Sequence, residues 1–273
     1  GEVWKARHRL LARPAAVKLI RAEVFGGADG GRTALRRFER EAQVTASLQS
    51  PHTVSLFDFG ISDEGVFYYV MEYLNGIDLE TLLDRHGPVP AARVIHWMLQ
   101  ACHSLEEAHY RGLIHRDIKP ANLYTCRVGL EEDVLKVLDF GLVKGDTGDG
   151  LTTLARTDQL VVGTPAYMAP ETAQASGEVD GRADLYSLGC VAFTLLTGRP
   201  PFEGKNPMEV VLAHVQSPPP APSLCTELPV PADLEAVILG CLAKDPADRP
   251  ASAAALAQRL RGCADAGAWS VED

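Results

Sequence analysis

The chain has 273 residues, of which 46% are hydrophobic and 23% are charged, and its formal net charge is −10. This hydrophobic content is typical of a globular protein with a substantial core, and the length fits one large domain or two modest ones. The excess of 36 acidic over 26 basic residues argues against a nucleic-acid surface and does not favour adhesion to anionic lipid. No signal peptide or membrane-spanning run is recognisable, so we expect no membrane contact from this segment.

The six cysteines are scattered and lack the paired spacing of zinc or redox motifs. A chain with a sizeable core does not need disulfides, so the cysteines favour a reducing compartment, with three disulfides as the less favoured alternative. We therefore expect a cytoplasmic location, with any membrane anchor of the parent protein lying outside this segment.

In the first third of the chain, hydrophobic alternation predicts strands around one helix. Apolar side chains flank Lys18, which is typical of a strand that carries one functional cation on its inner face. A glycine-rich run then breaks the pattern, and Glu41 lies beside the apolar stripe of the helix that follows. The predicted elements are a strand over 14–20, a helix over 33–48 and strands over 53–59 and 66–72.

Beyond Asn75 and Gly76 the pattern changes from strands to helices, which marks a lobe boundary. Helices are predicted near 79–85, 91–111, 181–197, 207–216, 232–243 and 252–261. The expected fold class is therefore α+β, with two lobes. A small β-rich lobe with one long helix covers 1–74, a larger α-helical lobe covers 75–262, and a tail or linker covers 263–273.

The strongest chemical signal is the run HRDIKPANL at residues 115–123, where an acid, a cation and an amide share one short loop. Such a set suits phosphoryl transfer: Asp117 orients an attacking hydroxyl, Lys119 neutralises a transferring phosphate, and Asn122 holds magnesium. Downstream, Asp139 in the run VLDFG supplies the second metal ligand that such a site needs. A single Asp is more often a turn residue or a helix cap, but here two separate runs converge on one reaction.

These two runs resemble the catalytic loop and the metal-binding loop of protein kinases. Further pieces follow in the order of that family, namely Ala16-Val17-Lys18, Glu41 and Ala169-Pro170-Glu171. The resemblance extends from residue 1 to roughly residue 262. It implies a bilobal protein-kinase-like fold and ATP and Mg2+ as cofactors. It also implies transfer of the γ-phosphate to Ser or Thr hydroxyls of protein substrates, since the run DIKP resembles Ser/Thr kinases. The run Ala166-Tyr167-Met168 and the compact length resemble the bacterial eukaryotic-like type.

By this resemblance the nucleotide lies between the lobes. Lys18, paired with Glu41, contacts the α- and β-phosphates, because a buried ammonium needs a partner carboxylate. Backbone groups of Glu72 and Leu74 contact the adenine edge. The full ATP-binding set is Gly1, Val3, Ala16, Lys18, Glu41, Met71, Glu72, Leu74, Tyr124 and Asp139. Tyr124 departs from the smaller aliphatic residue usual in the family, so we expect a pocket floor of different shape.

The start of the sequence resembles the end of the kinase glycine-rich loop, with Gly1 followed by Val3. The first strand and the two earlier glycines of that family are missing. We therefore interpret the sequence as truncated at its start, and an ordinary strand beginning at residue 1 is the alternative.

A stretch rich in Gly, Thr and Asp between Asp139 and Glu171 resembles an activation segment. Its candidate phosphorylation sites are Thr152, Thr153 and Thr157, and we favour Thr157. A phosphate there would pair with Arg116 through a charge-assisted contact that docks the segment. We expect autophosphorylation, with a kinase dimer for the reaction in trans.

Other residues that match the family are expected to stabilise the fold and to take no part in the chemistry. The resemblance implies a buried ion pair between Glu171 and Arg249, and it implies that Asp184 braces the catalytic loop from below. His115 and Phe140 are interpreted as packing residues of an internal spine and not as metal ligands.

Two other functions compete with a protein kinase. A pseudokinase or scaffold that binds partners without turnover is disfavoured by the intact set Lys18, Glu41, Asp117, Asn122 and Asp139. A small-molecule kinase is disfavoured because residues 163–171 resemble a protein-docking segment.

Overall fold

The computed structural model describes residues 2–20, 42–63, 66–140, 165–174 and 179–270. All structural statements below concern these residues. They show a small β-rich part followed by a larger helical part, so the expected α+β class is confirmed.

The first sheet has 4 antiparallel strands in the order β1-β2-β4-β3. They are β1 (Glu2–Arg7), β2 (Pro14–Ile20), β3 (Leu56–Ile61) and β4 (Phe67–Glu72). On one face, Ile20, Phe67 and Tyr69 pack with Ala42, which lies in the helical residues 42–46. Because β2 lies between β1 and β4, its residue Lys18 is held by ladders on both sides. The strand prediction for residues 14–20 is confirmed.

A second sheet was not predicted. It consists of β5 (Asn75–Asp78), β6 (Leu123–Val128) and β7 (Glu131–Val137) in the order β5-β6-β7. A Cβ atom on Gly76 would lie 2.0 Å from the carbonyl oxygen of Thr125, so β5 approaches β6 closely only because residue 76 is glycine. The first sheet ends at Glu72, and the second begins at Asn75. The division of the chain into two lobes at residue 74 stays a prediction.

The larger part is built around one fully buried helix. The helices are α1 (Leu79–His86), α2 (Ala91–Tyr110), α3 (Pro170–Gln174), α4 (Arg182–Thr197), α5 (Pro207–Gln216), α6 (Ala232–Cys241) and α7 (Ala253–Arg261). Every residue of α4 from Ala183 to Thr197 is buried, and most of these residues are apolar, as expected of a helix in the centre of the core. Side chains of Asp78, Asn206 and Ser252 cap α1, α5 and α7. The helices predicted after residue 180 agree with α4 to α7 within two residues at each end.

The loop that precedes β3 links the two parts through hydrogen bonds. In this loop the Gln49 and Ser50 N–H groups donate to the Glu107 carboxylate of α2, at 2.7 to 3.0 Å. The Val54 N–H donates to the Val137 carbonyl, and the Val137 N–H donates to the His52 carbonyl. The end of β7 is therefore tied to the first part of the chain.

The segment after α7 also packs on the helical part. The guanidinium of Arg93 lies between the rings of Trp97 and Trp269, 4.4 and 4.8 Å from their centroids. Such cation–π contacts attach the segment to α2. The assignment of 263–273 as a separate tail stays a prediction.

All six cysteines are free thiols, so the alternative with three disulfides is wrong. Among the described helices, none is both long and apolar enough to cross a bilayer.

We expect Gly189→Ala to destabilise the fold. A Cβ atom at this position of α4 would lie 2.6 Å from the Cβ of Cys241 in α6, and such overpacking costs about 1–3 kcal/mol. Gly240→Ala is the matched control, because the nearest atom to its new Cβ is 3.6 Å away and the change raises helix propensity. Urea unfolding should show a lower free energy of unfolding for Gly189→Ala and no decrease for Gly240→Ala. Equal effects would contradict the close packing of α4 on α6.

Candidate active site

An ion pair joins the first sheet to the segment that follows β7. Lys18 Nζ from β2 lies 2.5 Å from Asp139 Oδ2, which follows β7. Asp139 has a left-handed backbone with φ of +59°, which is uncommon for a residue other than glycine and typical of functional sites. Asp139 directly follows Leu138, whose N–H donates a hydrogen bond to the Asn122 carbonyl. The strand and the loop thus bring a cation and a carboxylate from distant sequence positions to one point.

The catalytic-loop candidates form a second cluster. The Asn122 amide donates to the Asp117 carboxylate at 3.0 Å and to the Asp117 carbonyl at 2.8 Å. Lys119 Nζ lies 3.0 Å from Asp117 Oδ2. A short 3-10 turn over Pro120–Asn122 brings Asn122 back toward Asp117, since the Asn122 N–H donates to the Lys119 carbonyl. The cation and the amide therefore both contact the Asp117 carboxylate.

This loop is braced by a buried carboxylate in the first turn of α4. Asp184, which is 1% exposed, accepts hydrogen bonds from the backbone N–H groups of His115 and Arg116, each at 2.8 Å. Its Oδ2 also lies 2.8 Å from His109 Nε2. Arg116 has φ of +64°, a conformation that costs free energy for a residue with a side chain. The contacts of Asp184 hold the backbone in that conformation.

His115 joins the catalytic loop to the segment that carries Asp139. Its ring packs on Phe140, with centroids 4.7 Å apart, and its Nε2 lies 2.7 Å from the Leu138 carbonyl oxygen. Its Nδ1 accepts the Asp117 N–H at 3.2 Å, so Nε2 carries the proton and donates. Complete burial lowers the pKa of His115, which keeps the ring neutral. The His115 ring therefore holds the loop of Asp117 in a fixed position relative to the segment that carries Asp139.

The residues expected around the edge of a nucleotide base lie on β1, β2 and β4 and in the segment after β4. Ala16 of β2 pairs with Met71 of β4 and is buried, whereas Val3 of β1 pairs with Lys18 and is exposed. Glu72 ends β4, and the half-buried Leu74 lies between β4 and β5.

Tyr124 has a partner that the sequence did not reveal. Its hydroxyl donates to the Gly76 carbonyl at 2.8 Å and so connects β6 to β5 through a side chain. Burial raises the pKa of Tyr124, so the hydroxyl remains protonated and can donate. A smaller aliphatic residue cannot make this bond.

Glu171 and Arg249 form a buried bidentate pair with distances of 2.7 and 2.8 Å. The remaining guanidinium protons reach the carbonyl oxygens of Ala243, Arg182 and Lys244. A buried ion pair is tolerated when its remaining donors are also satisfied, as they are here. The pair holds α3 against the start of α4 and the segment before α7.

The sequence analysis did not identify two charged residues of β7. Lys136 Nζ lies 2.8 Å from Glu72 Oε1, and Asp133 accepts from Arg93, Trp97 and Thr125. Burial by itself would raise the pKa of Asp133, but the hydrogen bonds from Arg93 and Thr125 outweigh burial and lower it. A lone lysine within the apolar run VLKVL is the same signal that singled out Lys18, and it could have identified Lys136.

Several expected site residues lie outside the described part of the chain. They are Gly1, Glu41, Thr152, Thr153 and Thr157. The Lys18–Glu41 pair and the phosphorylation sites therefore stay predictions.

Comparison with known proteins identifies the family. The chain matches the protein kinase domain over residues 1–260 and therefore belongs to that family, as the resemblance implied. It is 36% identical to the serine/threonine-protein kinase pkn3 of Myxococcus xanthus over 96% of this chain and 47% of the relative. It is 40% identical to the serine/threonine-protein kinase PknB of Mycolicibacterium smegmatis over 93% of this chain and 39% of the relative. The chain thus spans less than half the length of these curated relatives.

Solved structures show the same fold. The PknI kinase domain of Mycobacterium tuberculosis superposes with a TM-score of 0.72 and 28% identity, over 96% of this chain and 90% of that one. Rad53 in complex with AMP-PNP superposes with a TM-score of 0.76 and 26% identity, over 94% of this chain and 60% of that one. The expected bilobal protein-kinase fold is confirmed.

Acidification should weaken the catalytic loop through His115. The pKa of this buried ring lies below its usual 6.5 in the folded state, so unfolded chains take up its proton first as the pH falls. The stability contributed by neutral His115 is present above pH 6.5 and is lost as the pH falls toward the lowered folded pKa. The free energy of unfolding, measured between pH 7.5 and 5.5, should fall less steeply in His115→Phe, by up to about 1.4 kcal/mol per pH unit. Identical slopes would show that His115 does not carry this dependence.

Proposed function

We propose that this chain is the catalytic domain of an ATP-dependent serine/threonine protein kinase. The observation that carries the proposal is the contact of Lys18 with Asp139 across the cleft, beside the cluster of Asp117, Lys119 and Asn122. A cation from one lobe and acids from the other are the groups that phosphoryl transfer from a nucleotide needs.

In this proposal ATP binds in the cleft. Lys18, oriented by Glu41, contacts the α- and β-phosphates, and the backbone of Glu72 and Leu74 contacts the adenine edge. The residues assigned to the walls are Gly1, Val3, Ala16, Met71 and Tyr124. The AMP-PNP complex of the structural neighbour Rad53 supports the use of a nucleoside triphosphate in this fold.

Asp117 orients the acceptor hydroxyl and accepts its proton as the new bond to phosphorus forms. Lys119 places its ammonium near the transferring phosphate and stabilises its charge. The hydrogen bonds of Asn122 to Asp117 fix the direction of the carboxylate. These side chains act mainly by position and charge, as expected for this reaction.

Mg2+ fits the oxygen groups at this site. Asn122 turns its amide nitrogen toward Asp117, so its carbonyl oxygen points elsewhere, and Asp139 offers a carboxylate. Within the described ranges no three His, Cys, Asp or Glu side chains gather into a metal cage. A magnesium ion that shares substrate phosphates needs only one or two protein carboxylates, so the donor set suffices. When bound, the ion neutralises charge on the β- and γ-phosphates.

The acceptors proposed are Ser and Thr hydroxyls of proteins. The run DIKP in the catalytic loop and the names of the bacterial relatives both support this choice. The net charge of −10 suits substrates with basic flanks and disfavours nucleic acid. The free thiols and the need for ATP favour the cytoplasm.

Asp117→Asn should abolish phosphoryl transfer while nucleotide binding is retained. The amide keeps the shape of the side chain but cannot accept the hydroxyl proton, so kcat should fall by about 10²–10⁴-fold. The assay uses the full-length protein, Mg-ATP and a Ser/Thr protein substrate. Glu132→Gln is the control, because Glu132 is half-exposed and pairs only with Arg127 on the β6–β7 hairpin among the contacts the structure describes. Full activity in Asp117→Asn would exclude the proposed mechanism.

We also propose control by autophosphorylation in a signalling pathway. Thr157 is the favoured site and Thr152 and Thr153 are alternatives, with Arg116 next to the catalytic acid as the partner for the phosphate. A transient dimer brings the segment of one copy to the active site of another.

Mass spectrometry of active protein should find phosphate within residues 145–164. It should be absent from Asp117→Asn, because the protein itself catalyses the transfer of this phosphate from ATP. Thr157→Ala should lower activity toward an added substrate by more than Thr152→Ala does. Active protein without phosphate in this segment would show that the mechanism is wrong.

A further inference from the structure

Lys136 is the buried cation of the second sheet. It lies on β7 and is 5% exposed, and its Nζ is 2.8 Å from Glu72 Oε1. A buried ammonium is stable only when a partner compensates for lost hydration, so the contact with Glu72 is strongly favoured. This contact joins β7 to the end of β4, across the boundary between the two sheets.

Glu72 is held on more than one side. Its carboxylate also accepts the Ser55 N–H at 2.8 Å, and its own N–H donates to the Ser55 carbonyl at 2.9 Å. In the register of the first sheet, Glu72 pairs with Ala15 of β2. The side chain of Glu72 is therefore directed inward toward Lys136, while its backbone leads into the segment that connects the lobes.

Lys136 also lies beside the proposed base pocket. It is the cross-strand partner of Tyr124, so the two side chains leave the same face of the second sheet. It precedes Asp139 by a short stretch in which the Val137 backbone is bonded to His52 and Val54. Strand β7 is thus linked to the segment between the lobes, residues 72–74, which we call the hinge, and to Tyr124 of the proposed pocket floor. The same strand leads to Asp139, the carboxylate that meets Lys18.

An earlier residue of β7, Asp133, provides a contrast. Asp133 accepts two hydrogen bonds from the Arg93 guanidinium, at 2.9 and 3.0 Å, and this pair ties β7 to α2. The donor–acceptor distances of the Arg93–Asp133 pair are similar to that of the Lys136–Glu72 pair, but the Arg93–Asp133 pair faces away from the hinge. If both pairs only stabilised the fold, the loss of either pair would lower stability and leave nucleotide binding unchanged.

We propose that Lys136 is a positioning residue for the nucleotide base. It acts through the Glu72 carboxylate, which sets the position of the hinge backbone that contacts the adenine edge. This inference rests on the proposed function, because it assigns a role within the same nucleotide site.

The test is the binding of adenosine and of AMP-PNP, measured by calorimetry on the full-length protein. Lys136→Met should weaken both ligands about tenfold, because only the contacts to the shared base are displaced. Lys136→Arg retains the cation and should restore most of the affinity. In steady-state kinetics Lys136→Met should raise the KM for ATP by a similar factor, with little change in kcat or in the KM for the protein substrate.

Two control variants separate positioning from other roles. Lys18→Met should weaken AMP-PNP but not adenosine, because its contact is to the phosphates. Arg93→Met breaks the pair with Asp133 of β7 and should lower the melting temperature without changing adenosine affinity. Glu72→Gln provides a second route if Lys136→Met fails to fold, and it should weaken adenosine to the same extent.

The double variant Lys136→Met/Glu72→Gln should bind adenosine no more weakly than either single variant, because both act through one pair. Unchanged adenosine affinity in Lys136→Met and Glu72→Gln would overturn the inference. A wild-type protein that binds adenosine and AMP-PNP but transfers no phosphate would instead contradict the proposed function alone. A wild-type protein that binds neither ligand would count against both.

Discussion

The attraction between Lys18 and Asp139 is the interaction on which the site depends. It is the point where the first sheet and the segment after β7 place opposite charges within 2.5 Å. Lys18 lies on a strand of the first sheet, paired on both sides, and Asp139 follows Leu138, whose N–H donates to the Asn122 carbonyl. The cleft therefore has a cation on one wall and an acid on the other, which is the arrangement that a nucleotide triphosphate needs.

Buried charges elsewhere serve to hold this arrangement. Asp184 fixes the backbone of the catalytic loop, and the Glu171–Arg249 pair anchors the short helix α3. At the other side of the cleft, Lys136 and Glu72 join the second sheet to the hinge. In each case a charge that is expensive to bury is satisfied by several directed bonds, so the geometry around it is well defined.

Much of the fold was predictable because it depends on local pattern. The strand at Pro14–Ile20 and the helix at Pro207–Gln216 have the predicted bounds, since alternation and capping residues are read directly from neighbouring positions. The second sheet was missed because β5 is only 4 residues long and pairs with β6, which follows far along the chain. Short strands become stable through such pairing, and no local pattern records it.

The sequence alone determined the family and the candidates Lys18, Asp117, Asn122 and Asp139, because spaced motifs record which chemical groups a reaction needs. Only the tertiary structure decided which groups meet. It shows that Lys18 contacts Asp139. It also shows that Lys136 pairs with Glu72 and that the Tyr124 hydroxyl donates to the Gly76 carbonyl. The reason is physical: the free energy of a buried charge depends on the atoms around it in space, and those atoms come from distant parts of the chain.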